Sequence, residues 1–237
     1  MTKHTFLIGL GIFFVLAAAF ALLRSRGEVL FNQMRAKPDL TDPNNWTIGP
    51  IVNGDNASLN MPLHPEPGFV ISMPTPSNQP HYVTIDYGSL KGKSRITMTG
   101  RVEGGPLFAH DGSSQASLCL YFQRQFDDWS ATVVPEPGYG SGETNQGTEY
   151  YRWFATGSAL LPLVADPFEI SVNLSDKWTA LRAESLDSLT GMGAKMFKDA
   201  IDNAGEVGFV LGGGDGWGHG IMAAKPARII ITSFEIV

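Results

Sequence analysis

The sequence is poor in reactive chemistry. It holds one cysteine among 237 residues, Cys119, so a single chain can form neither a disulfide nor a cysteine-based zinc site. Cys119 lies in Ala-Ser-Leu-Cys-Leu-Tyr-Phe, a strand-like apolar run, and reads as a small buried hydrophobe. The lack of disulfides does not exclude export, because a chain of this size buries an adequate core without them. Charged residues make up 17%, somewhat below the usual level of about 25%. There is no Gly-x-Ser-x-Gly elbow and no His-Glu-x-x-His helix. Nor is there a Glu-x-Asp-x-Glu run, which would set two carboxylates on one strand face as glycoside hydrolysis requires. The five histidines, His4, His64, His81, His110 and His219, are far apart in sequence. None has the close spacing of a metal motif, and each reads as a surface or turn residue. His110 and Asp111 are adjacent, so on a strand they would point to opposite faces and make a poor acid–base pair. The expectation is a protein with no catalytic residue, no cofactor and no dedicated metal.

Positive charge is scarce beyond the N-terminus. Residues 1–26 carry Lys3, Arg24 and Arg26 and no acid, so 17 basic residues less these 3 leaves 14 against 23 acidic, a net −9. An acidic domain repels phosphate backbones, and nucleic acid is not an expected partner.

What the sequence does have is one long apolar run, Phe6 to Leu23, with no polar side chain. As a helix it would measure about 27 Å, close to the ~30 Å hydrocarbon core of a bilayer. Phe6, Leu10, Phe13, Phe14, Leu16, Phe20 and Leu23 would face lipid. Two readings of residues 1–26 follow. Ala19-Phe-Ala21 has the small-x-small form of a processing site, as in a cleaved signal peptide. Against cleavage, the run is long, it continues through Leu22 and Leu23, and Arg24 and Arg26 follow at once. These features favour a single-pass anchor with the bilayer as partner. The basic residues after the run would hold the large domain inside, whereas the signal-like layout would export it; the expected side is extracytoplasmic.

Residues 27–45 read as a juxtamembrane linker. It is a helical continuation of the span, stopped by Pro38 and followed by the polar turn Asp-Leu-Thr-Asp-Pro-Asn-Asn. From Trp46 to Val237 the pattern changes to short β-like runs separated by Gly, Pro, Asn and Asp. They are Trp46–Val52, Ala57–Met61, Phe69–Met73, His81–Tyr87, Arg95–Val102, Ser117–Gln125, Trp129–Val134, Tyr150–Thr156, Phe168–Leu174, Val207–Leu211 and Ala227–Val237. Ile96, Met98 and Val102 alternate with polar residues, as do Phe168, Ile170, Val172 and Leu174. That is the signature of strands with one face on a core. The expected fold is mostly β: an antiparallel, jelly-roll-like β-sandwich. One surface helix is expected over Asp187–Ala204, where Leu189, Met192, Met196, Phe197 and Ile201 follow 3.6-residue spacing and Gly205 is the stop.

Three stretches are candidates for binding. Gly212-Gly-Gly-Asp-Gly-Trp-Gly-His-Gly220 lacks the Lys-Ser/Thr of a phosphate loop. It could instead project Asp215, Trp217 and His219 into one shallow site, its glycines letting a ligand reach the backbone. Gln123-Arg-Gln-Phe-Asp-Asp-Trp129 places Asp127 and Asp128 together as weak Ca²⁺ candidates, although a turn or a pairing with Arg124 accounts for them as well. In Glu149-Tyr-Tyr-Arg-Trp-Phe154, Tyr150, Arg152 and Phe154 share one strand face and Tyr151 and Trp153 the other. One set belongs to the core. The other could join Trp129 as a platform for a sugar ring or a partner.

The opening Asp42-Pro-Asn-Asn-Trp46-Thr-Ile and the closing Ala227-Arg-Ile-Ile-Ile-Thr-Ser-Phe-Glu-Ile-Val237 resemble the first and last segments of jelly-roll carbohydrate-binding modules and galactose-binding-like domains. The resemblance covers about 20 of the 237 residues. It implies a sandwich fold and a non-catalytic role in binding a glycan or another polar ligand. No binding residue transfers by position. The alternative expectation is an accessory subunit of a membrane complex, its helix packed among other helices and its sandwich docked on a soluble subunit. A hydrolase on the same scaffold is the third and weakest reading.

Overall fold

Trp46 is the point from which the sandwich is laid out. Just before it, Asp42 caps a short 3-10 turn (Pro43–Asn45) by accepting a hydrogen bond from the Asn44 amide at 2.9 Å. The turn delivers the indole into the interior. There Trp46 packs on Phe69 at a ring-centroid distance of 4.7 Å, Phe234 at 4.9 Å and Phe209 at 6.4 Å, and its Nε1 donates to the Leu40 carbonyl at 3.1 Å. These partners come from two different sheets.

The computed structural model describes residues 36–53, 56–58, 64–65, 68–73, 80–125, 152–156, 160–164, 166–176, 178–180, 192–213 and 218–237. Contacts divide the chain into Met1–Ala36 and Lys37–Val237, and the sheets and helix belong to the second unit. In chain order the strands are β1 (Trp46–Asn53), β2 (Asn56–Ser58), β3 (His64–Pro65), β4 (Phe69–Met73), β5 (Pro80–Asp86), β6 (Arg95–Gly104), β7 (Leu107–Ala109), β8 (Ser117–Arg124), β9 (Arg152–Ala155), β10 (Leu161–Pro162), β11 (Pro167–Asn173), β12 (Trp178–Ala180), β13 (Ala204–Gly212), β14 (Ile221–Ala223) and β15 (Ala227–Ile236). One α-helix among the described residues, α1 (Met192–Asp202), lies between β12 and β13 in sequence.

The larger sheet runs β12-β9-β8-β13-β5-β1-β2 with β10 added beside β8, the smaller runs β11-β6-β15-β4-β3, and β14 pairs β7 in a two-stranded ribbon. All of these pairings are antiparallel. Alternation decides which side chains meet. Ile48, Val83, Ile85, Leu118, Leu120, Phe122, Phe209 and Leu211 of the larger sheet share one core with Phe69, Ile71, Ile96, Met98, Ile229 and Ile231 of the smaller. Each such side chain contributes about 1.5–3 kcal/mol by leaving water. The expected mostly-β antiparallel sandwich with one helix is present.

Of the helix expected over Asp187–Ala204, the described residues hold Met192–Asp202. It ends at Asp202, where the Asn203 amide closes on the Asp199 carbonyl at 2.9 Å. Residues 181–191 lie outside the described ones. Gly205 is not the helix stop. Pairing of Ala204 with Arg124 has already begun β13, and the Gly205 carbonyl accepts from the amides of Tyr87 and Gly88. Phe197 wedges between Trp153 at 4.7 Å and Phe122 at 5.8 Å, and Arg124 reaches Asp199 at 2.6 Å. The helix thus closes one end of the core.

Lys37 ties the start of this unit down. Its Nζ donates to the carbonyls of Tyr87 at 3.2 Å and Ser89 at 2.7 Å and stands 4.1 Å from the Tyr87 ring centre. No helix among the described residues is long and apolar enough to cross a membrane. The run Phe6–Leu23, with Phe6, Leu10, Phe13, Phe14, Leu16, Phe20 and Leu23, lies outside the described residues, as does the expected strand Trp129–Val134.

Candidate functional site

The end of the sandwich opposite α1 gathers three histidines that are remote in sequence. Ala204 of β13 is at the helix end, so Gly212 of the same strand marks the other end, where it pairs with Ser117. The β7–β14 ribbon covers that end. Leu107, Ala109, Ile221 and Ala223 face inward and are buried, while Phe108 and Met222 are only partly so.

Each histidine arrives for a local reason. His81 precedes Val83 and Ile85 in the inward-pointing set of β5, so it sits at the rim of the interior, half-buried. His110 follows β7 on a turn fixed by Asp111. The Asp111 carboxylate accepts from the amides of Ser113 at 2.8 Å and Ser114 at 2.7 Å and from the Ser114 hydroxyl at 2.5 Å. Those bonds, the Ser114 hydroxyl first, hold the carboxyl far below the usual range. His219 lies between Gly218 (φ 69°) and Gly220 (φ 90°), two left-handed positions that suit glycine. Gly220 is pinned by its amide, which donates to the Leu211 carbonyl at 3.0 Å. Gly218 packs directly on the Tyr82 ring.

The His110 and His219 rings stand 5.2 Å apart, tilted by 34°, and both are exposed. His81 lies within electrostatic reach of both. Burial lowers its pKa most, and repulsion from His219 and then His110 lowers it further, against a hydrogen bond to the Gly218 backbone that raises it. The Nε2 of His81 is buried and has no hydrogen-bond partner, so the bond to Gly218 uses the other ring nitrogen, Nδ1. A buried acceptor left unpaired costs about 1–3 kcal/mol. Chemically the arrangement offers two exposed imidazole faces and edges and, behind them, one unpaired nitrogen.

Of the candidates read from sequence, His219 is at this end. Asp215 and Trp217 lie outside the described residues, as do Trp129, Tyr151, Asp127 and Asp128. Trp153 is a correction. It is fully buried, pointing inward from β9 against Phe197, because its strand face is the core face, and it cannot serve as an exposed platform. Arg124 pairs with Asp199 on α1, and the suggested pairing with Asp127 or Asp128 falls on residues outside the described ones.

The opposite face of the larger sheet carries a second cluster that alternation alone did not reveal. Tyr82 and Tyr121 meet edge-on at 5.2 Å, Tyr121 and Phe154 at 5.2 Å, and Cys119 and Val210 complete the group with Leu160 against it. Tyr121 is fully buried and donates to the Gln123 side-chain oxygen at 2.5 Å. The signal was in the sequence, since Leu118 to Phe122 is apolar at odd and even positions alike, which marks a strand buried on both faces. Buried Cys119 is free, and burial raises its thiol pKa far above the usual value.

Compared with known proteins, the sequence matches no family model and no curated protein.

Proposed function

We propose that this chain is a membrane-anchored, jelly-roll-like binding module, non-catalytic, that takes a glycan or another polar ligand at the sandwich end formed by His81, His110 and His219. The observation that carries the reading is the convergence of three imidazoles from three separate elements on one end, beside a glycine-rich connection. Imidazole rings stack on flat apolar faces and give or take hydrogen bonds at their edges, the pairing of contacts that sugar rings and other polar ligands use. Phe6–Leu23 supplies the anchor, and the binding end then works outside the cytoplasm. The resemblance of Asp42–Ile48 and Ala227–Val237 to carbohydrate-binding modules points the same way. Among the described residues the exposed large apolar side chains are Val164 and Val237, a small apolar surface for docking on a neighbouring subunit.

The full chain, extracted in mild detergent, is titrated against a panel of soluble oligosaccharides by calorimetry. The expected result is binding of a subset, weakened about tenfold or more in His219→Ala, with the melting temperature held. Loss of one buried or stacked contact of 1.4 kcal/mol is enough for that factor. A chain that binds no member of the panel but co-purifies stoichiometrically with another membrane protein would overturn the reading in favour of an accessory subunit.

A further inference from the structure

We infer that the cleft beside the β7–β14 ribbon, on the smaller-sheet side of the histidine end, is the subsite for one ring of a neutral, hydroxyl-rich sugar, with the Glu103 carboxylate as its hydrogen-bond acceptor. This site deepens the glycan reading and rests on it. It adds a second place of contact and fixes the charge of the ligand.

The first observation is the cleft itself. It has a volume of about 410 Å³, and Ser72, Glu103, Gly104, Pro226 and Arg228 are among its lining residues. Small-molecule sites run from about 300 to 1,000 Å³. Chain order sets its position. β6 ends at Gly104 and leads directly into β7, and β14 leads through Pro226 into β15. The cleft thus lies on the smaller sheet and His81 on the larger, with the ribbon covering the end they share.

The second is register. Ser72 of β4, Arg228 of β15 and Glu103 of β6 stand directly opposite one another, so their side chains form a polar row at about 5 Å spacing. Alternation turns this row outward, because the neighbours Met73, Ala227, Ile229 and Val102 belong to the core.

The third is the state of Glu103. Arg228 Nη2 donates to one of its carboxylate oxygens, and Arg101 Nε to the other at 2.9 Å. Those bonds, Arg228 first, hold the carboxyl below its usual range. The carboxylate is therefore ionised at neutral pH and fixed from two sides. Each oxygen keeps a further lone pair for a ligand hydroxyl, and an acceptor already held in place loses little freedom on binding. Ser72 adds a hydroxyl, which both donates and accepts.

The charges select the ligand. Glu103 and Arg228 cancel at the lining. A ligand carboxylate or phosphate would meet Glu103 at close quarters, and an ammonium would meet Arg228. Hydroxyl groups avoid both conflicts. Their protons go to Glu103 and Ser72, and the C–H face of the ring lies on Pro226. Gly104 passes so close to Pro226 that an added Cβ would stand 2.3 Å from its carbonyl oxygen, which fixes that wall.

The test titrates the full chain, extracted in mild detergent, by calorimetry. The probes are manno-, cello- and chito-oligosaccharides, with oligogalacturonates of matched length as the acidic set. The neutral sugars should bind more tightly. Glu103→Gln should weaken their binding about tenfold or more. By leaving Arg228 uncompensated it should also narrow or reverse the preference over galacturonates. Ser72→Ala should weaken neutral-sugar binding about threefold or more. Glu169→Gln, which changes an exposed carboxylate elsewhere on the same sheet, should leave binding unchanged. If Glu103→Gln fails to fold, Ser72→Ala, which stands outside the ion pair, still decides. Sugar binding that both substitutions leave unchanged, or tighter binding of galacturonates by the unsubstituted chain, overturns the subsite. If that binding still falls in His219→Ala, the function proposed above stands without it. Binding weakened in Glu103→Gln but kept in His219→Ala sustains the subsite and removes the histidines from the reading. A chain that binds no sugar overturns both.

Discussion

Gly218→Ala tests whether the histidine end is held by contact with the larger sheet. Two penalties apply. Gly218 has φ 69°, where a Cβ costs about 1–2 kcal/mol. The added methyl would also run into the Tyr82 ring, its hydroxyl first. That ring cannot easily withdraw, because Tyr82 is 8% exposed and packs edge-on against Tyr121. Forcing a methyl group into a packed contact costs about 1–3 kcal/mol. Gly92→Ala is the control: φ there is 78°, and nothing lies within 4 Å of the new Cβ. It should cost the backbone term alone, about 1–2 kcal/mol, against a total of about 2–5 kcal/mol for Gly218→Ala. For a domain of this size each kcal/mol moves the melting temperature by about 2–4 °C. Urea and thermal unfolding of both variants, followed by circular dichroism, give the difference directly. Equal costs for the two substitutions would refute the contact between Gly218 and Tyr82 on which the geometry of this end depends.

Acidification should weaken the fold through His81. Its folded pKa lies below the ordinary value of 6.5, so the unfolded chain binds the proton more readily. The contribution is therefore intact above about 6.5 and is lost as pH falls through the folded value. Urea midpoints measured from neutral toward mildly acidic pH should decline, and His81→Gln should flatten that decline. A steeper decline in the variant would contradict the assignment. Trp153→Ala should cost about 3–5 kcal/mol in unfolding experiments, as core truncation of a large aromatic does. A cost below about 1 kcal/mol would place Trp153 at the surface, contrary to its contact with Phe197.

The sheets were legible because alternation is a local property. Phe69–Met73 matches its strand to the residue, and Arg95–Val102 and Phe168–Leu174 fall within a residue or two of the strands they announce. The ribbon of Leu107–Ala109 and Ile221–Ala223 was not legible. Three-residue strands carry too little periodicity, and their pairing spans more than 100 residues of chain. The histidine cluster was invisible for the same reason. His81, His110 and His219 have no spacing in common, and only the meeting of β5, the Asp111 turn and the Gly218–Gly220 turn brings them together. Trp153 was misjudged because alternation says that Tyr151 and Trp153 share a face without saying which face is the core. That choice is settled by Phe197, which arrives from a helix some forty residues later in the chain.

The place of β15 in the smaller sheet has a consequence for biosynthesis. It runs between β6 and β4, pairing with β6 from Ala227 to Ile236, and the Val237 backbone adds bonds to Ser94 and Arg95. Until those residues leave the ribosome, β6 and β4 each present a bare edge, and the core faces of both sheets have no lasting partner. Edges of that kind invite pairing with other chains. The nascent domain must therefore be shielded, or kept extended, through the synthesis of nearly its whole length. Sequence-distant pairing of this kind also slows closure once it becomes available.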